Sequence, residues 1–173
     1  NFRVINAFIP VFWTHELGTS PEQGSFALTV FFSIGIFMTY IGGLLGDKYG
    51  PIKIIRLSLL IWLPSMFLLT QVPEFSVTIM MPLAYLILLM IGAAKAISYS
   101  PVIVLGQTYL AKSIGFASGI TLGVSQTIGG IIAPVVGNLA DTYSLPAAMM
   151  TLVPFLIVGL VASLLLKDPK KLQ

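Results

Sequence analysis

Gly42-Gly43-Leu44-Leu45-Gly46-Asp47-Lys48-Tyr49-Gly50-Pro51-Ile52-Lys53 joins two long apolar segments and gathers glycines, one carboxylate and two lysines into a tight turn. Ninety-four residues later part of it returns. Gly43-x-Leu45-Gly46-Asp47-x-Tyr49 becomes Gly137-x-Leu139-Ala140-Asp141-x-Tyr143, and Gly35 and Gly129 keep the same offset. One helix end that occurs twice in a chain of six apolar segments points to internal symmetry. A chance match of small residues in a glycine-rich chain is the plainer alternative.

Outward from this turn, the chain is too poor in charge to coat a water-facing surface. It has 173 residues, 57% hydrophobic and 9% charged, with mean hydropathy +0.99; a soluble domain carries roughly 25% charge. The chain therefore reads as an integral membrane protein. Its excess of nine Lys and Arg over six Asp and Glu reads as membrane orientation rather than nucleic-acid binding. Without cysteine there is no disulfide, and no redox compartment can be inferred. The chain opens Asn1-Phe2-Arg3, with no initiator Met and no signal-peptide layout. Its first apolar segment, about 16 residues, would cover roughly 24 Å of a ~30 Å hydrocarbon core. The expectation is that the sequence starts inside a helix and that upstream residues are missing.

Six apolar segments are expected as helices, over residues 2–17, 23–46, 52–71, 77–108, 114–139 and 146–166. Ser20 with Pro21 starts the second, Gln71-Val72-Pro73-Glu74 ends the third, and Ser144-Leu145-Pro146 starts the sixth. Arg3, Lys48, Lys53, Arg56, Lys112, Lys167, Lys170 and Lys171 fall on one side of the membrane. The other side holds His15, Glu16, Glu22, Glu74 and Asp141, and no Lys or Arg. Positive residues stay inside, so both ends of the segment are expected in the cytoplasm and the protein in the inner membrane. The repeated helix end then closes the second segment in the cytoplasm and the fifth outside. That is the trace of a 3+3 inverted repeat, with units of about 1–75 and 76–173, a construction typical of secondary transporters. The third and sixth segments are poor in polar groups and are expected to face lipid; the first, second, fourth and fifth should face the protein interior.

Lys95, in Gly92-Ala93-Ala94-Lys95-Ala96-Ile97-Ser98-Tyr99, is the one charge well inside a segment. Charge at that depth costs at least ~2.5–3.5 kcal/mol, so it faces a cavity or a partner. Snorkelling is the alternative, made difficult by more than ten residues to either helix end. Tyr99 shares its face at i+4. A cavity lysine favours an anionic or phosphonate-like solute, although a carboxylate from absent helices could neutralise it instead. Asn6, Pro10 and Trp13 form a stripe on the first segment, Thr29, Ser33, Phe37 and Tyr40 one on the second, and Gln126 joins glycines on the fifth. Polar residues with aromatics on inward faces suit a binding cavity. Its expected members are Asn6, Trp13, Ser33, Tyr40, Lys95, Tyr99 and Gln126. Gly115, Gly119 and Gly123 recur every four residues, as in close helix packing, and Gly130, Pro134 and Gly137 form a kinkable packing segment.

The turn at 43–53 resembles the signature loop of the major facilitator superfamily, Gly-x-Leu-small-Asp-basic-x-Gly followed by basic residues. Gly43, Leu45, Gly46, Asp47, Lys48, Gly50 and Lys53 match; Pro51 and Ile52 occupy slots that are often basic. Phe8-Ile9-Pro10, Val104-Leu105-Gly106-Gln107-x-Tyr109-Leu110 and the run from Ala117-Ser118-Gly119 to Ala140-Asp141 resemble the carboxy-terminal half of the fosmidomycin-resistance branch. The resemblance implies that residues 1–173 are helices seven to twelve of a twelve-helix transporter whose amino-terminal half is absent. It implies alternating access and proton-coupled efflux of a small solute or drug. The expected partners are lipid, the absent half, a small-molecule substrate for which Lys95 favours an anion, and protons. Gly43, Asp47, Lys48, Gly50, Lys53 and Arg56 are expected to form a gating latch, with Asp47 accepting from a facing helix N-terminus or pairing with Lys53 or Arg56. No acid lies at mid-membrane, so a proton-carrying carboxylate is expected in the absent half.

An intramembrane serine protease would need a serine and histidine at membrane depth, but His15, the single histidine, lies at a helix end and no Gly-x-Ser-x-Gly occurs. No metal cluster or phosphate loop appears, and no cofactor is expected. A self-assembling six-helix channel or half-transporter stays open as the alternative, although no filter sequence or charged ring is visible.

Overall fold

The computed structural model describes residues 2–74 and 77–166. Lys167, Lys170 and Lys171, part of the orientation argument, lie outside the described residues. Among those described there is no strand. The helices are α1 (Phe2–His15), α2 (Pro21–Tyr49), α3 (Pro51–Gln71), α4 (Val77–Ile97), α5 (Tyr99–Tyr109), α6 (Ile114–Thr142), α7 (Leu145–Met150) and α8 (Val153–Leu165). Among the described residues, five helical stretches are long and apolar enough to cross a membrane: α2, α3, α4 with α5, α6, and α7 with α8.

Local chemistry sets the ends. The Ser20 hydroxyl accepts from Gln23 N at 3.4 Å, and Pro21 occupies the first turn, where its missing N–H costs nothing. Gly50 ends α2 at φ +95°, donating its N–H to Gly46 O at 2.9 Å. Only glycine takes that backbone conformation cheaply, and Pro51 then opens α3. The Ser144 hydroxyl caps α7 by accepting from Ala147 N at 3.3 Å.

Two segments expected as single helices are broken. The fourth divides at Ser98 because Pro101 has no N–H for the Ile97 carbonyl and its ring crowds that oxygen. The helix resumes with Val102 N donating to Ser98 O at 3.0 Å. The sixth divides at Thr151 and Leu152 for the same reason, with Pro154 in the first turn of α8. At the first break α2 comes in very close. A Cβ on Gly42 would lie 2.7 Å from Ile97 Cα and closer still to its carbonyl oxygen, so the Gly42 Cα–H points at the oxygen that Pro101 leaves without a donor. Beside it, a Cβ on Gly43 would meet Ser100 Oγ at 3.3 Å, and one on Gly46 would meet the Pro101 ring at 3.1 Å.

The core lies between α1, α2, α3 and α4, closed by Met149 of α7 and Leu152. Ile9, Phe12, Trp13, Phe31, Met66, Leu88 and Ile91 are almost wholly buried there. α6 packs on α1, α5 and α7, and α3 packs on α4 and α8. Within this chain alone, burial runs against the expected division of faces. α3, assigned to lipid, is the most buried of the long spans, whereas α2 and α6, assigned to the interior, are the least buried. Ser58 and Ser65 explain how α3 is accommodated: each donates to a carbonyl of its own helix at 2.7 Å and needs no partner across the interface. Arg56 ties the far side together. Its guanidinium donates to Ser163 O at 3.0 and 2.8 Å and to Leu164 O at 3.3 Å, capping carbonyls that the end of α8 would leave open.

Gly42→Ala should be strongly destabilising, by about 3 kcal/mol or more, because backbone rather than a movable side chain opposes the new methyl. Gly35→Ala, where the new Cβ would meet only Ala96 Cβ at 4.0 Å, should be tolerated. Thermal unfolding of the two purified variants in detergent checks the contrast.

Candidate substrate cavity

The kink at Ser98 turns α5 away from the axis of α4, and a cavity of about 430 Å³ opens where α2, α4, α5 and α6 converge. That volume lies within the ordinary range for small-molecule sites. α2 contributes Phe32 and Thr39, α4 contributes Lys95, the kink contributes Ser98 and Tyr99, and α6 contributes Thr121, Ser125 and Gln126; Trp62 of α3 also lines it. No Asp or Glu is among the lining residues.

Lys95 carries the charge. Its Nζ lies 4.7 Å from the centroid of the Phe31 ring and 5.9 Å from that of Phe32, within range of cation–π attraction. One turn earlier, Gly92 lets α4 meet α2: a Cβ there would lie 2.8 Å from Ile34 Cγ2 and 3.1 Å from Phe31 Cδ2. The hydroxyls around it are committed to their own helices. Thr39 donates to Gly35 O, Thr121 to Ala117 O and Ser125 to Leu122 O, each at 2.8 Å, and Ser98 donates to Lys95 O at 2.9 Å. The other lining side chains with donors are Lys95, Tyr99, Gln126 and Trp62, whose indole N–H has no hydrogen-bond partner among the described residues.

Of the residues expected in a cavity, Lys95, Tyr99 and Gln126 come together here. Ser33 and Tyr40 lie on the exposed face of α2 outside the lining. Trp13 is corrected: it is fully buried in the core, 6.0 Å from the Phe12 ring and 5.6 Å from that of Tyr85. Asn6, on the same helix, is half-buried and does not line the cavity. The helical stripe was right about a shared inward face and wrong about what that face meets. Phe31, Phe32 and Trp62 were missed. The signal for Phe31 and Phe32 was a pair of aromatics on the segment that faces Lys95; Trp62 had none, since its segment was assigned to lipid.

In the signature turn, Asp47, Lys48 and Lys53 are exposed, and Lys48 Nζ stands 5.1 Å from the Tyr49 ring centroid. Among the described residues Arg56 is occupied by the end of α8, so its expected pairing with Asp47 is corrected. Gly43 serves close packing and Gly50 the turn itself. Gly115, Gly119, Gly123 and Gly130 have nothing within 4 Å of an added Cβ, while Gly137 would touch the Phe8 ring at 3.8 Å. Within this chain, then, those four glycines make no close helix contact, and Pro134 is exposed. A shallow apolar groove runs along α6 between Phe116 and Ile128.

The sequence model of the Major Facilitator Superfamily matches residues 1–173. Among curated proteins, the chain is 32% identical to the uncharacterized MFS-type transporter YfnC of Bacillus subtilis, over 87% of this chain and 35% of that protein. It is 28% identical to the fosmidomycin resistance protein of Escherichia coli, over 82% of this chain and 33% of that one. The chain thus spans about a third of the length of the curated relatives it matches. No solved structure matches it. These relatives are transporters, not enzymes.

With no native cysteine in this chain, single cysteines can report the cavity. Thr39→Cys and Ser125→Cys should react with a water-soluble thiol reagent, and Ala84→Cys, whose side chain is fully buried, should not. Labelling rates in the detergent-solubilised protein check this.

Proposed function

We propose, from the premise that this chain belongs to the Major Facilitator Superfamily, that it is the carboxy-terminal six-helix half of a twelve-helix secondary transporter in the inner membrane. Both ends of the segment lie in the cytoplasm in this reading, and the absent amino-terminal half supplies the other wall of the transport path. The observation that carries the proposal is a lysine at mid-span on the wall of a cavity with no acidic lining residue. A charge at that depth is costly and marks a solute or ion path. The cavity takes a small solute with an anionic group, moved outward by alternating access and coupled to protons. The resistance protein of Escherichia coli supports efflux of a drug-like substrate by likeness. The proton-carrying carboxylate is assigned to the absent half.

Packing supports the 3+3 inverted repeat. Pairing the first three spans with the last three maps the contact of α2 on α4 and α5 onto that of α6 on α1, and both occur. It likewise maps α1 on α2 onto α5 on α6, and α2 on α3 onto α6 on α7, and these occur too. At the repeated helix end, Gly43 meets Ser100 of the fourth span while its counterpart Gly137 meets Phe8 of the first. Packing of α3 on α4 has no comparable counterpart between α1 and α7 or α8, so the symmetry is approximate. The exposed face of α6 with its glycines, and that of α2 with Ser33 and Tyr40, are assigned to the boundary with the absent half, where close helix approach needs small residues.

Lys95→Gln in the full-length carrier should weaken binding of an anionic solute far more than of its neutral counterpart; equal effects on both would remove the anion reading. Asp47 is assigned to gating, latching the cytoplasmic end onto the other half. Asp47→Asn should therefore slow transport while leaving equilibrium substrate binding nearly intact, and a large loss of binding with unchanged conformational exchange would contradict that role.

A further inference from the structure

We infer that Phe31 and Phe32 are positioning residues for Lys95: two ring faces hold its ammonium at the cavity wall, where it meets an anionic group, without adding a counter-charge of their own. The inference rests on the anion reading above and adds how the charge is presented. The two rings stand 5.8 Å apart and nearly perpendicular, at 72°, so they flank the ammonium from two directions rather than stacking on one side. Phe31 is the nearer, at 4.7 Å from Nζ, and Phe32 is at 5.9 Å.

The cradle is preformed. Phe31 is 1% exposed within the core, and Gly92, one turn before Lys95, lies against it with no room for a side chain between. Phe32 is 42% exposed and lines the cavity, so the cradle reaches from the core to the wall. An aromatic face attracts a cation through its quadrupole and carries no net charge. A carboxylate in that place would cancel the lysine's charge, whereas a ring face stabilises the ammonium without adding a counter-charge. Holding Nζ in one direction also means that less freedom is lost when an anion binds.

The test measures binding of an alkylphosphonate and of its neutral diester to the purified full-length carrier. Replacing both rings, Phe31→Leu with Phe32→Leu, should weaken phosphonate binding about three- to thirtyfold more than diester binding, the reach of such contacts. Phe32→Tyr, which keeps the ring face, should retain the phosphonate preference. Phe32→Leu alone, away from the tight core, should show a smaller loss of the same sign and serves if the double variant does not fold. If the leucine variants keep the phosphonate-to-diester ratio while Lys95→Gln abolishes it, the cradle is wrong and the anion reading stands. If Lys95→Gln leaves the ratio unchanged, both fall. Equal losses for phosphonate and diester in the leucine variants would mean that the rings only pack, and would also overturn the proposal.

Discussion

The Ile97 carbonyl has no helical donor, because the residue four positions on is Pro101. In a bilayer such an orphan oxygen has no water to turn to and must be covered by protein. Gly42 covers it, backbone against backbone. Much of this molecule depends on that contact. It brings the end of α2 onto the kink, places Gly43 and Gly46 against Ser100 and Pro101, and so fixes where α5 diverges from α4. The cavity opens at that divergence. Pro101 alone would give a hinge, and Gly42 alone a close crossing; together they give a bent helix with a defined direction.

The same contact gives the signature turn a role its charges had obscured. Read as a sequence, the turn drew attention to Asp47, Lys48 and Lys53. Within this chain those side chains are exposed, and the glycines do the joining. Arg56 is the charge that engages the fold, and its partner is a set of carbonyls about a hundred residues away at the end of α8. α3 and α8 are thereby held at one end by hydrogen bonds from a guanidinium fork, where the helix dipole favours positive charge.

What was legible in the sequence was local. The Ser20 and Ser144 caps and the turn at Gly50 follow from residues a few positions apart, and the structure has them. Lys95 lines a cavity in this chain, the kind of place that charge at such depth leads one to look for. What was not legible was which neighbour each face meets. Trp13 and Asn6 were placed on one inward face by periodicity, but periodicity does not distinguish a core from a cavity. α3 was assigned to lipid because it lacks polar groups, yet lipid tails and a packed interior are equally apolar. Its buried serines needed no foreign partner, so they left no mark. Pro101 and Pro154 were visible throughout; that they would break their segments depended on packing, since Pro10, Pro64, Pro82 and Pro134 sit inside helices that continue.

The cavity's chemistry follows from how a hydroxyl behaves inside a bilayer. Thr39, Thr121, Ser125 and Ser98 each donate to a carbonyl of the helix that bears them, which leaves oxygen lone pairs as what they offer the cavity. A wall rich in hydroxyls is in that state rich in acceptors, and it does not by itself favour an anion. The preference for negative charge then falls on very few groups: the ammonium of Lys95, with the Tyr99 hydroxyl, the Gln126 amide and the Trp62 indole N–H on the same wall. Concentrating the preference in one charge makes its direction matter more than the number of polar side chains around it. The direction is set from behind, by aromatic rings on α2 that reach α4 because Gly92 has no side chain. The selectivity of the site is thus coupled to the packing of α2 on α4, next to the kink at which the cavity opens.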